Sequence, residues 1–179
     1  MATYITKLNE DDVQESTRFL DKFLSYDRRE WATPASTKVI GYVARNNNDL
    51  SGVGLMSIYQ KSDFEKLFPE VARFLPHTDS VSLFPGAAVR PGTRRKGIYS
   101  RIFEARQEWL LSCGVDTLVV LTRSTSQIPL SFYEKRGMRE VIRIEKYWEQ
   151  YLIESKAECP RCGSHCECSA VFLMGQLAE

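Results

Sequence analysis

Two stretches of this 179-residue chain hold residues whose types and spacing can do chemistry. The first is "CPRCGSHCEC", residues 159–168, which sets Cys159, Cys162, Cys166 and Cys168 within ten positions. Its opening half has the form of a metal knuckle. Two thiolates stand two residues apart, and Gly163 lets the chain turn so that N–H groups face sulfur. "CEC" adds two more thiols three residues on. Four thiolates satisfy tetrahedral zinc, and His165 is placed to replace one of them. Structural sites usually draw their two pairs from more distant segments, so this loop would be compact. An iron–sulfur cluster lacks its usual spacings here, while a redox dithiol or a loop without metal stays open.

The second stretch is "AAVRPGTRRKGIYSRIFEA", residues 87–105, in which a strand runs into a turn rich in Arg, Lys and Gly and directly on into a helix. A helix N-terminus presents free N–H groups and a partial positive charge, which suits phosphate. Gly97 lets backbone approach an anion closely, and Arg94, Arg95 and Lys96 add charge. Gly92 and Gly97 have the glycine spacing of a Walker loop, but Ile98 and Tyr99 stand where that loop needs Lys and Ser/Thr. No Gly-x-Gly-x-x-Gly follows a strand, so a dinucleotide site is not indicated either.

Composition narrows the classes. The net charge is +1 and no basic stripe is apparent, so nucleic acid is not an expected partner. No stretch reaches the roughly 18 apolar residues of a membrane span, and "MATYITKLNEDD" lacks the apolar run of a signal peptide. These features lead us to expect a soluble cytoplasmic protein with no membrane partner. Five cysteines without a secretory signal argue against a disulfide framework. Cys113 is expected to pack, inert, at a helix end.

The elements that must position these residues follow from periodicity. "TYITKL" reads as a strand, and Asn9 as the cap of a helix with Val13, Leu20, Phe23 and Leu24 on one face. "KVIGYVAR" and "GVGLMSIYQ" flank an Asn/Asp/Gly turn and make a hairpin. Residues 62–76 have helical spacing, with Ser62 and Glu65 resembling a capping box and Pro69 forcing a break. "SVSLFPGAAV" is strand-like, yet Pro85 and Gly86 imply a bulge or an edge. Gly97 to Cys113 reads as an amphipathic helix burying Ile98, Ile102, Ala105, Trp109, Leu110 and Cys113. "DTLVVLT" reads as a buried strand, "PLSFYEKRG" as a short helix, and "REVIRIEKYW" and "SAVFLMGQL" as the last two strands. The order predicts an α/β (α+β) mixed sheet with helices packed on it.

At this point the residues resemble a known family. "VRPGTRRKGIYSRI" is similar to the acyl-CoA pyrophosphate loop of the GNAT acetyltransferase superfamily, Arg/Gln-x-x-Gly-x-Gly/Ala after a strand. Arg94 takes the first position, Gly97 the central glycine, and Tyr99 departs from the final Gly/Ala, so its side chain must point away from the phosphates. "SFYEKRGM" resembles the superfamily's Phe-Tyr-Glu-Lys-x-Gly-Phe segment, with Ser126 and Pro129 in place of its upstream Asn and Ala. The resemblance spans residues 38 to 148. It implies a mixed central sheet of about seven strands with helices on both faces and two central strands that splay apart.

The resemblance also implies roles. Acetyl-CoA, or another acyl-CoA, is the cosubstrate. Ala87, Ala88 and Val89 would meet its pantetheine arm. Arg94, Arg95, Lys96, Gly97, Ile98, Tyr99 and Ser126 would hold the rest. Tyr133 matches the family's general acid, and a phenol with a pKa of about 10 is protonated as that role requires. The base is not readable; His77, Asp79 and Ser82 lie near where one would sit. Tyr4, Trp31, Tyr59 and the aromatic-rich stretch at 63–76 line either an acceptor pocket or the core. The expected activity is N-acetyl transfer to a primary amine of a small molecule or peptide, by a single domain over residues 1–179. A Cys-rich loop at 155–168, expected to hold a structural zinc, joins the last two strands. A non-catalytic acyl-CoA-binding or metal- or redox-sensing module is the alternative, and a homodimer is left open.

Overall fold

The computed structural model describes residues 3–24, 38–125, 129–149, 152–153, 158–159, 162–163 and 165–177. Strand β1 (Thr3–Lys7) precedes helix α1 (Asp12–Leu24). The start of α1 is fixed by a reciprocal cap. Asn9 Oδ1 accepts from the Asp12 N–H at 2.9 Å, and Asp12 Oδ2 accepts from the Asn9 N–H at 3.2 Å. Asp12 also pairs with Arg45 at 2.8 Å, tying the helix to the sheet. Phe19 and Leu20 are the buried residues of its apolar face, whereas Val13, expected there, is exposed.

Strands β2 (Lys38–Asn46) and β3 (Asp49–Gln60) form the expected hairpin, turning at Asn47 with φ 48°. Pro69 breaks the next helical stretch into α2 (Lys61–Leu67) and α3 (Pro69–Ala72). The expected capping box does not form: the cap is Gln60 and no side chain closes it, so Ser62 lies inside the helix. The next strand is interrupted as Pro85 and Gly86 implied, giving β4 (Ser80–Phe84) and β5 (Ala87–Val89). Helix α4 (Ile98–Ser112), β6 (Thr117–Arg123), α5 (Pro129–Glu134), β7 (Arg139–Ile144) and β8 (Ala170–Gln176) complete the chain.

The sheet order is β1-β2-β3-β4-β6-β8-β7, with β5 on β3. Counting β4 and β5 as one interrupted strand, this is the expected seven. β4 and β6 pair in parallel and the other pairs are antiparallel. α4 and α5 cover one face, burying Phe84, Phe103, Leu118, Val120 and Leu173. α1, α2 and α3 cover the other, over Leu20, Val53, Phe64, Leu83 and Phe172. Each such side chain contributes about 1.5–3 kcal/mol relative to exposure. The buried residues of α4 are Ile98, Ile102, Phe103, Arg106 and Leu110. Cys113 departs from its expectation: as the C-cap of α4 it is exposed. No helix among the described residues is long and apolar enough to cross a membrane.

Candidate active site

The centre of the sheet opens where the proline interrupts it. β4 and β6 pair through Ser82↔Leu118, Leu83↔Val119 and Phe84↔Val120. Beyond Phe84 the chain shifts register and, as β5, pairs with β3, while β6 continues to Arg123 against β8. A gap therefore opens between β5 and β6. The Leu55 N–H donates to Gly86 O at 3.1 Å and the Arg90 N–H to Ser51 O at 2.9 Å. Antiparallel bonding alternates, so Ala88 is committed to β3 and the backbone groups of Ala87 and Val89 face the gap. Val89 O is already taken by Arg94 Nε at 3.0 Å.

The same Arg94 begins the turn into α4. Arg95 and Gly97 take φ of 62° and 71°, and the first helical bond runs from the Arg101 N–H to Gly97 O at 3.1 Å. The N–H groups of Ile98, Tyr99 and Ser100 precede that ladder and are open to an anion. Arg94, Arg95 and Lys96 are exposed around them. Helix α4 is seated against β3 by small residues: a Cβ on Gly54 would stand 2.5 Å from Ile102 Cγ2 and 3.1 Å from Arg106 Cζ.

Tyr133 lies on α5 within an aromatic group made with Tyr99, Phe103 and Phe132. It is 5% exposed, and its hydroxyl hydrogen-bonds the hydroxyl of Tyr99. The Tyr99 ring has thus swung off the loop into the aromatic group, as a non-glycine residue there must. Burial, and then the neighbouring Tyr99, push the Tyr133 phenol well above its ordinary value, against the pull of Arg106 and Arg136.

Arg106 is a residue that the sequence reading missed. It is fully buried, with its guanidinium carbon 3.9 Å from the centroid of the Phe84 ring and Nη1 donating to Leu55 O at 2.8 Å. Leu55 lies opposite the bulge, where Pro85 has no N–H to give. The guanidinium thus supplies a donor to the interrupted ladder. Its position four residues after Ile102 and four before Leu110, on the apolar stripe of α4, is the signal that would have revealed it.

No family model and no curated protein sequence matches the chain. Solved structures do match. Arabidopsis thaliana NAA60 in complex with acetyl-CoA superposes with a TM-score of 0.74 at 9% identity, covering 98% of this chain and 99% of that one. The IAA acetyltransferase from Bacillus cereus gives 0.69 at 19% identity, covering 98% and 100%. The ribosomal-protein-S18-alanine N-acetyltransferase from Escherichia coli gives 0.69 at 13% identity, covering 99% and 96%.

The fold is that of the GNAT N-acetyltransferases.

In GNAT terms the two central strands splay as the resemblance implied, and the turn at Arg94–Gly97 leads from β5 into α4. Ser126 lies outside the described residues, as does Trp31. His77 and Asp79 are exposed ahead of β4, and Ser82 is fully buried within it, so none is assigned as the base. Tyr59 and Phe64 belong to the core. Tyr4 is 41% exposed on the edge strand β1.

The four cysteines gather on the opposite face of the GNAT sheet from Tyr133. Their sulfurs all lie within 4.8 Å of one another, and none of the four is in a disulfide. Cys159, Cys166 and Cys168 are buried with Trp148, Leu152 and Phe172, while Cys162 is exposed. His165 is exposed and lies outside the four-sulfur group. Burial raises the Cys166 and Cys168 thiols, and a hydrogen bond with Cys168 raises Cys162.

Proposed function

We propose that this protein is an acyl-CoA-dependent N-acyltransferase, a single domain over residues 1–179 that moves an acetyl group from acetyl-CoA to a primary amine of a small molecule or peptide. The observation that carries this reading is the gap between β5 and β6, opened at Pro85–Gly86 and leading to the α4 N-terminus. An extended pantetheine arm would pair with Ala87 and with the Val89 N–H. Its pyrophosphate would lie on the N–H groups of Ile98 and Tyr99, among Arg94, Arg95 and Lys96. Solved proteins of the same fold that carry acetyl-CoA or a bisubstrate analogue support this placement.

In the reaction a neutral amine attacks the thioester carbonyl. The N–C bond forms, the C–S bond breaks, and the amine proton leaves to water or a base. The departing thiolate takes a proton from the Tyr133 hydroxyl, which a raised pKa keeps protonated. Cys159, Cys162, Cys166 and Cys168 would hold a structural zinc, which would supply no chemistry to these steps.

A second reading is favoured by one observation: the Tyr133 hydroxyl is buried and already engaged by Tyr99. On that reading the fold binds acyl-CoA without transfer. Calorimetry with acetyl-CoA, followed by mass spectrometry of product from a panel of amines and N-terminal peptides, decides. Binding with acetylated product supports the enzyme; binding without product across the panel supports the module; absence of binding overturns both.

A further inference from the structure

We infer that Cys159, Cys162, Cys166 and Cys168 form a closed tetrathiolate site for one zinc ion, and that this site clasps the β7–β8 connection to the end of β6. A zinc–sulfur bond of about 2.3 Å places tetrahedral sulfurs about 3.8 Å apart. Here Cys162 and Cys168 are 3.4 Å apart, Cys159 and Cys168 4.0 Å, and the whole group fits within 4.8 Å. A disulfide needs about 2.05 Å, so the sulfurs converge on a shared centre and not on one another.

The backbone is shaped for the same purpose. Cys159 and Gly163 exchange N–H···O bonds, both 2.9 Å, and Gly163 takes φ 72°. Cys159 lies in this bridge and Cys162 immediately precedes Gly163, while Cys166 and Cys168 lie on the approach to β8. Three of the four thiols are buried in an apolar cluster. A divalent cation makes such a crowding of sulfurs favourable. Four sulfur ligands select a soft, tetrahedral ion and leave no open position, so the role is structural.

The clasp reaches the strand that borders the gap. Thr125 Oγ1 lies 3.8 Å from Cys168 Sγ, and the Ser124 N–H donates to Ser169 O at 2.9 Å. Ser169 Oγ donates to Glu145 Oε2 at 2.7 Å, joining the end of β7 to the start of β8. The ion would close the loop that carries the four cysteines, and Cys168 and Ser169 join that loop to Ser124 and Thr125 beyond β6 and to Glu145 beyond β7. The site does not depend on the acyltransferase reading.

The test uses the full-length chain purified without chelator. Metal analysis is expected to find close to one zinc per chain. Alkylation under native conditions is expected to modify exposed Cys113 and spare the other four thiols until zinc is removed. Cys162→Ser, at the exposed ligand, is expected to lose zinc and lower the melting temperature, and Cys113→Ser to retain both. Zinc below about 0.2 equivalents, one equivalent of iron in its place, or rapid alkylation of all five thiols without chelator would overturn the assignment. If Cys162→Ser does not fold, the metal content and alkylation pattern of the natural chain decide alone. Acetyl-CoA binding, measured on the same preparation, reports on the acyltransferase reading separately.

Discussion

The hydroxyls of Tyr99 and Tyr133 meet in a hydrogen bond that joins the first turn of α4 to α5. This links the helix proposed to receive the pyrophosphate to the proposed acid. Tyr133→Phe removes the proton donor and keeps the ring that packs on Phe103 and Phe132. Turnover is expected to fall at least tenfold, about 1.4 kcal/mol of barrier, with acetyl-CoA affinity retained. Tyr99→Phe removes the partner but not the donor, so its loss of turnover should be smaller. Steady-state rates beside calorimetry check both, and unchanged turnover in Tyr133→Phe would end the acid role.

Burial also makes Tyr133 a stability reporter at high pH. Its folded pKa lies above the tyrosine value of about 10 that holds in the unfolded chain. Below that value both states keep the proton and nothing is lost. Above it the unfolded chain ionises first, so the folded state loses stability as pH rises toward the folded pKa. Denaturant midpoints measured from about pH 8 to 11 should fall more steeply for the natural chain than for Tyr133→Phe. Parallel curves would contradict a buried, raised phenol.

Close approach of α4 to β3 predicts the effect of one methyl group. In Gly54→Ala the new Cβ meets Ile102 Cγ2 at 2.5 Å, and a β-branched side chain on a helix has little room to turn. The helix must move off the sheet, at about 1–3 kcal/mol, carrying the Ile98–Ser100 N–H groups with it. Thermal unfolding should show the loss, and acetyl-CoA affinity should drop with it. Affinity unchanged alongside a lowered melting temperature would separate helix seating from cofactor binding.

What the sequence disclosed depended on the kind of signal. Pro69 and Pro85 were legible because a missing N–H acts locally, and both breaks fall where they were expected. The basic turn was legible because glycine and charge are contiguous. Arg106 was not, because a charged residue on an apolar stripe reads as noise until Leu55 O, 51 positions away, is seen to need a donor. The Tyr99–Tyr133 contact also joins residues far apart in sequence, and pattern carries no through-space distance. Val13 and Cys113 were misplaced because an apolar residue at a helix end meets helical periodicity without meeting the core.

The turn before α4 should read phosphate charge. Arg94 both stands at the site and holds Val89 O, while Lys96 is held by no partner in the described hydrogen bonds and ion pairs and supplies charge alone. Lys96→Ala should weaken acetyl-CoA binding and flatten its salt dependence. Arg94→Ala should weaken it further by loosening the turn. Acetyl-pantetheine, which has no phosphates, should react equally well with the natural chain and Lys96→Ala. Equal losses with both substrates would place Lys96 elsewhere than on the pyrophosphate.

Arg106 allows a test of what keeps the strands apart. Its buried Nη1 donates to Leu55 O, Nη2 has no partner among the described residues, and the guanidinium rests on Phe84. Replacing a buried charge by an apolar side chain is often harmless, which favours Arg106→Met. Against that, Met leaves Leu55 O without its donor, at about 1–3 kcal/mol. The carbonyl faces a bulge where proline offers no N–H, so the second effect should win. Arg106→Met is expected to destabilise by about 1–2 kcal/mol. Arg106→Ala should cost more, because it adds a cavity beside Phe84 and Phe103. Arg106→Lys keeps one donor and loses the planar stack, and should fall between the natural chain and Met. Denaturant unfolding of the three variants gives the order. Arg106→Met as stable as the natural chain would mean that the bulge at Pro85–Gly86 does not need the guanidinium to stay open.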